Sequence, residues 1–288
     1  MTMGMHTPLR FVAVGDSFTE GVGDTDLRLP NDCRGWADRV AEELARHRPR
    51  TQYANLALRG RRLRQIVVGQ LEPALAMAPT LVSFHAGGND LLGARLDMRT
   101  LVRGFEDAVA RIVQTGAQVL LFTEYNVPLS PVLEPLKLRT AVFNKHIRRI
   151  SAAYGTLLVD HWCFEKYQDR RMWAPDRLHM SGIGHEYMAK KVLEVLGAAH
   201  SLGSPVLGAL QPRSRAEIMA DNAAWLRRDV APWLSRRFRG VSSGDHLSAR
   251  WPVVLPASRL TTFWDGRASQ QPNFRGSRRG EAPKMCSA

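Results

Sequence analysis

The sequence predicts an α/β protein with a parallel sheet covered by helices on both faces. Over the first 200 residues, short runs of apolar, often β-branched residues alternate with longer segments whose apolar residues fall three and four apart. Several of the short runs end in Gly, Asn or Asp, the residues of turns. Continuous apolar runs mark strands buried on both faces, and alternation with helices makes them parallel.

Strands are expected at Phe11–Val14, Gln52–Leu56, Leu81–His85, Val119–Phe122 and Thr156–Val159. Between them, Trp36, Val40 and Leu44 (with Ala37 and Ala41 offset) form one helical stripe. Leu63, Ile66, Val67, Leu71 and Leu75 form a second, and Leu101, Phe105, Val109, Ile112 and Val113 a third. Leu138, Val142, Ile147 and Ile150 follow more loosely. Ile183, Tyr187, Met188, Val192 and Val195 make the last stripe, with Ser181 as its N-cap. Ser201 to Pro212 is rich in Gly, Ser and Pro and reads as a linker. A further helical stretch runs from about Ser214 to Phe238, where Pro232 is expected to kink or break it. From about Gly266 the chain is polar and disorder is expected. The organisation expected is thus a domain over 8–200, a linker and basic helical extension over 201–265, and a tail over 266–288.

At 288 residues, 44% hydrophobic and 23% charged, the chain has the composition of a globular protein with one sizeable core and an appendage. No stretch of about 18 uninterrupted apolar residues occurs. Met1–Arg10 lacks an apolar signal core, so a cytoplasmic location is expected. Cys33, Cys163 and Cys286 are widely spaced without a C-x-x-C pair, which points to neither a disulfide framework nor a zinc site. The net charge of +13 raises nucleic acid as a partner. The excess is uneven, however: from Ser201 onward 14 Lys and Arg stand against 6 acids. The basic extension, with Trp225, Trp233 and Phe238, could meet an anionic membrane surface or nucleic acid. The favoured expectation is that its apolar face packs on the main domain, with nucleic acid an unlikely partner.

Four short segments carry the chemistry. Gly15-Asp16-Ser17 follows the first strand, where ligands bind in open α/β sheets; a serine there also serves as a plain helix cap. Asn55-Leu-Ala-Leu-Arg-Gly60 ends the second strand, and Gly60 lets backbone approach a ligand. Gly87-Gly88-Asn89-Asp90 ends the third, exposing an amide that can donate to an oxyanion. In Asp176-Arg177-Leu178-His179 an acid can bind one ring nitrogen and leave the other as a base. Each has a bland structural explanation when taken alone. His85 and His185 read as structural histidines, Asp16 and Asp90 as braces of their turns, and Asp160 as an alternative acid.

Taken together and in this order, the segments resemble the SGNH hydrolase superfamily, the GDSL esterase/lipase family, over the first 200 residues. Gly15-Asp16-Ser17-Phe18 has Phe where the family name has Leu. Asn55 to Arg64 and Ala224-Trp-Leu-Arg-Arg look like actinobacterial members. The resemblance implies a three-layer α/β/α sandwich on a flavodoxin-like, five-stranded parallel sheet. It also implies a serine esterase or lipase acting on small-molecule acyl esters without a metal or cofactor. Ser17 would be the nucleophile, His179 the base and Asp176 its partner. Ser17, Gly60 and Asn89 would form the oxyanion hole. Carbohydrate O-deacetylase and thioesterase chemistry would use the same residues. Specificity is expected in the loops Gly21–Arg34 and Tyr125–Leu136.

Overall fold

The structure, a computed structural model, describes residues 8–125, 134–209, 212–239 and 241–260. Cys286, the polar tail and most of the Tyr125–Leu136 loop lie outside them. β1 (Arg10–Val14), β2 (Gln52–Asn55), β3 (Leu81–Phe84), β4 (Gln118–Phe122) and β5 (Leu157–Val159) are parallel, in the order β5-β4-β3-β1-β2. The order reverses between β1 and β3, so the loops after these two strands flank the switch point where a doubly wound sheet opens a crevice.

Side chains alternate across the sheet as strand geometry demands. Phe11, Ala13 and Tyr53 face a core shared with the helices α1 (Ser17–Glu20), through Phe18, α2 (Gly35–His47), and Gly182–Val195. Val12, Val14 and Ala54 face the other core, shared with helical residues 63–76, Met98–Gln114 and Glu134–Tyr154. Burying each large apolar side chain contributes about 1.5–3 kcal/mol, and these two layers supply the third dimension of the sandwich. Asp97 and Ser181 cap the helices that follow them; Ser181 accepts from the Gly184 N–H.

Two helical stripes differ from expectation. In Glu134–Tyr154, Phe143 is buried with Ile147 and Ile150, whereas Leu138 and Val142 face solvent. Ile183, at the start of its helix, is also exposed. Pro232 does not end its helix. The turn before it, Leu226–Val230, widens to π geometry, and Ala231–Phe238 continues. Pro73 stands likewise just after the π turn Val67–Leu71. A proline cannot donate to the carbonyl four residues back, and a wider turn takes up the mismatch.

The extension adds a sixth strand that its sequence pattern did not announce. β6 (Trp251–Pro256) pairs antiparallel with β2 at the sheet edge. Beside it, Arg250 is buried against Asp38 at 2.5 Å and donates to the carbonyls of Glu20 and Arg34. Asp38 also accepts from Tyr53 at 2.8 Å and from the Trp251 indole at 3.3 Å. No described helix is long and apolar enough to cross a membrane.

Candidate active site

The turn after β1 is built around the absence of a side chain. A Cβ on Gly15 would stand 2.6 Å from Thr19 Oγ1 and 2.9 Å from the His85 carbonyl. The Gln70 side-chain amide exchanges two hydrogen bonds with the Gly15 backbone, both at 2.9 Å. Asp16 caps α1 by accepting from the Phe18 N–H at 3.1 Å. Ser17 is thereby fixed at the start of α1, half-buried, on the wall of a cleft of about 1080 Å³.

Gly60 is held from two sides. Glu20, fully buried on α1, accepts from the Arg59 backbone N–H at 2.6 Å and binds its guanidinium at 2.8 Å. Thus α1 carries Ser17 and also anchors the neighbour of Gly60. Gly60 has φ +76°, and a Cβ there would run into Ser242 Oγ, so a side chain at this position is strained. Neither the Ser17 nor the Gly60 N–H donates to a protein acceptor among the described residues.

Gly87 has φ +113°, and a Cβ there would stand 2.6 Å from the Phe143 ring; a Cβ on Gly88 would stand 2.9 Å from the Glu124 carboxylate. The two glycines present Asn89, whose Nδ2 donates to Asp16 Oδ2 at 3.0 Å and to the Arg61 carbonyl at 3.1 Å. Asp90 braces the helix that follows β2 by accepting from the Leu63 N–H at 2.8 Å.

Asp176 and His179 form one tight turn with Arg177 at φ +60°. Asp176 Oδ1 accepts from the Leu178 and His179 N–H groups, both at 3.0 Å, and Oδ2 lies 2.6 Å from His179 Nδ1. Burial alone would raise this carboxyl, but His179 and the two backbone donors outweigh it and hold it down at about 2. With Nδ1 taken, Nε2 is the ring nitrogen left for a substrate or nucleophile. His179 and Ser17 line the same cleft, with no hydrogen bond between them. Such bonds often tighten only when substrate arrives.

Ser17, Gly60, Asn89, Asp176 and His179 are therefore brought to one cleft. Asp160 is not: it binds Arg148 and Thr123, away from the cleft. His185 is a core residue, accepting from the Trp36 N–H and facing the Val22 carbonyl; burial drives its pKa down to about 4. His85 differs from a simple core histidine. It lies 3.5 Å from Asp16 on one side and 3.5 Å from Glu124 on the other, stacked on Phe18. Burial opposes its charge, yet the two carboxylates push its pKa up to about 10. Among the described residues no cluster of three or more His, Cys, Asp or Glu is arranged to hold a metal ion.

Sequence reading missed the contribution of the extension to this cleft. Trp225, Trp233, Arg236 and Ser242 line it. The Trp225 indole donates to the Asp176 carbonyl at 2.8 Å, and Arg177 stacks on its ring at 4.7 Å. Asp221 pairs with Arg170, Arg177 and Arg213. These anchors are largely polar, while Ile218, Met219 and Leu226 remain exposed. Only contacts between distant segments reveal this role, so no local pattern could have signalled it.

The fold and the order of these strand-end segments define an acylhydrolase of the α/β class. The chain belongs to the GDSL-like lipase/acylhydrolase family, which matches residues 13–187. It is accordingly a carboxylic ester hydrolase. Among solved structures it is similar to LAE5, an alpha/beta hydrolase enzyme from the metagenome of Lake Arreo, Spain. That likeness has 22% identity and a TM-score of 0.57, covering 69% of this chain and 100% of the other. It is also similar to Axe2, an acetylxylan esterase from Geobacillus stearothermophilus. There the identity is 18% and the TM-score 0.56, over 68% of this chain and 98% of the other. No curated protein sequence matches the chain at a significant level.

Proposed function

We propose that the protein is a serine esterase that cleaves O-acyl esters through a Ser17-His179-Asp176 triad and an acyl-enzyme. The observation that carries this reading is the 2.6 Å contact between His179 Nδ1 and Asp176, in the cleft that Ser17 also lines. Ser17 Oγ attacks the carbonyl carbon while His179 Nε2 takes its proton. Asp176 fixes the imidazole tautomer and stabilises the imidazolium. The carbonyl oxygen becomes an oxyanion, received by the Ser17 and Gly60 N–H groups and the Asn89 amide. Asn89 shares its hydrogens with Asp16 and Arg61 at rest, so its bond to the oxyanion is a shared one. Collapse breaks the ester C–O bond, and His179 returns the proton to the departing alcohol. Water, deprotonated by His179, then releases the acid and frees Ser17.

The test is hydrolysis of 4-nitrophenyl acetate together with fluorophosphonate labelling. Wild type turns over the ester and takes one label; Ser17→Ala does neither. Undiminished turnover in Ser17→Ala would remove the assignment. Within this class, an O-acetylated carbohydrate is a second reading. It is favoured by the likeness to an acetylxylan esterase and by the aromatic side chains Trp162 and Trp233 on the cleft lining.

A further inference from the structure

We infer that the alcohol portion of the substrate carries a negative charge, read by Arg62, Arg64 and Arg236 at the cleft wall. The inference rests on the esterase reading above and goes on to name its substrate class. Every carboxylate lining the cleft already has a partner. Asp16 and Glu124 flank His85, and Asp176 binds His179. Asp90 holds the Leu63 N–H, Asp229 pairs with Arg228, and Asp245 pairs with Arg61. Three of the cleft's arginines are likewise engaged, Arg59 by Glu20, Arg177 by Asp221 and Arg228 by Asp229.

Arg62, Arg64 and Arg236 are different. They line the same cleft, yet none has a carboxylate within ion-pair distance among the described residues. Arg62 and Arg64 are exposed and Arg236 is half-buried. They also come from separate parts of the chain. Arg62 and Arg64 follow β2 next to Gly60, whereas Arg236 is brought by the extension that docks on the Asp176 turn. Guanidinium groups from two segments, none closed in an ion pair, leave a local positive field facing one cleft, with Asp90 within longer-range reach of Arg62. A planar guanidinium fork suits carboxylate, sulfate or phosphate oxygens, and such a field raises the capture rate of an anion. With an acyl group as small as acetyl, the charge sits on the alcohol portion of the ester.

The experiment compares acetate esters of 4-hydroxyphenylacetate and of its uncharged methyl amide. The charge is one methylene from the ring, so the two leaving phenols have similar acidity. A second pair with a phosphate ester in place of the carboxylate separates phosphate from carboxylate preference. In wild type at low salt, kcat/KM favours the anionic member by about tenfold or more. The ratio falls in 0.5 M NaCl, where screening is strong. It falls toward one in the Arg62→Gln/Arg64→Gln/Arg236→Gln protein and is kept in Arg103→Gln, an exposed arginine outside the cleft. Each ratio is read within one protein, so partial misfolding does not alter it. Equal kcat/KM for both pairs in wild type overturns the inference, as does a preference that survives the triple substitution. Absence of Ser17-dependent turnover of every ester overturns instead the esterase reading, and this inference with it.

Discussion

The strand-end loops of the sheet and the C-terminal extension meet at one cleft but are secured in opposite ways. The loops are set by neighbours in the chain. Asp16 caps its own helix, and Asp176 binds the N–H groups and ring two and three residues on. The extension is secured by distant partners: Arg250 on Asp38, Trp225 on the Asp176 carbonyl, and Asp221 on Arg170 and Arg177. Its two halves also differ. Arg250 and β6 are built into the sheet edge, whereas the helical arm rests on the Asp176 turn through exposed or half-exposed polar groups. The chemistry is thus locally encoded, while the walls around it depend on long-range contacts of very unequal strength.

The sharpest way to break this contrast is Asp176→Asn. It alters the local turn alone and leaves the extension docked. Turnover of 4-nitrophenyl acetate should fall by about 10³–10⁴-fold with the wrong imidazole tautomer. A small loss would mean that the turn does not orient His179. Next comes Arg250→Ala, which strands the buried Asp38 carboxylate. Denaturant unfolding should show a loss of about 3–5 kcal/mol. Unchanged stability would show that β6 is dispensable to the sheet.

His85 tests the loops through pH. Its pKa, near 10 in the folded protein against 6.5 for a free histidine, means the charged form is bound more tightly in the native state. That contribution is complete below about pH 6.5 and is lost as pH rises toward 10. The melting-temperature gap between wild type and His85→Gln should therefore shrink from pH 6.5 to pH 10; a constant gap would mean the histidine is held neutral. The smallest effect is expected from Trp225→Phe. It removes one hydrogen bond to the Asp176 carbonyl, worth about 0.5–1.5 kcal/mol, while keeping an aromatic face for Arg177. A kcat loss of a few-fold, with global stability nearly unchanged, would place Trp225 as a positioning residue of the turn. A loss as large as that of Asp176→Asn would erase the distinction between loops and arm.

Much of the molecule was legible before folding because its determinants are short-range. Phe11 to Val14 alternates across the sheet, and Ser181 caps its helix as its position implied. The Asp176 and His179 spacing closes on itself within one turn. In Glu134–Tyr154 the apolar spacing does not say which side meets the sheet, and Phe143 takes the buried side while Leu138 and Val142 face solvent. Pro232 carries an expectation of a kink or a break, and the helix instead continues through a π turn that the sequence does not announce.

The sequence by itself determined the five parallel strands and the strand-end segments that meet at the cleft, since strand period, turn glycines and an i,i+3 acid–histidine pair are local properties of the chain. Only the tertiary structure decided that Glu20 holds Arg59 beside Gly60, that two carboxylates enclose His85, and that the basic extension supplies an edge strand and a cleft wall. Those depend on buried charges and close packing between segments up to some two hundred residues apart, and pairwise encounters of that kind leave no periodic trace in the chain.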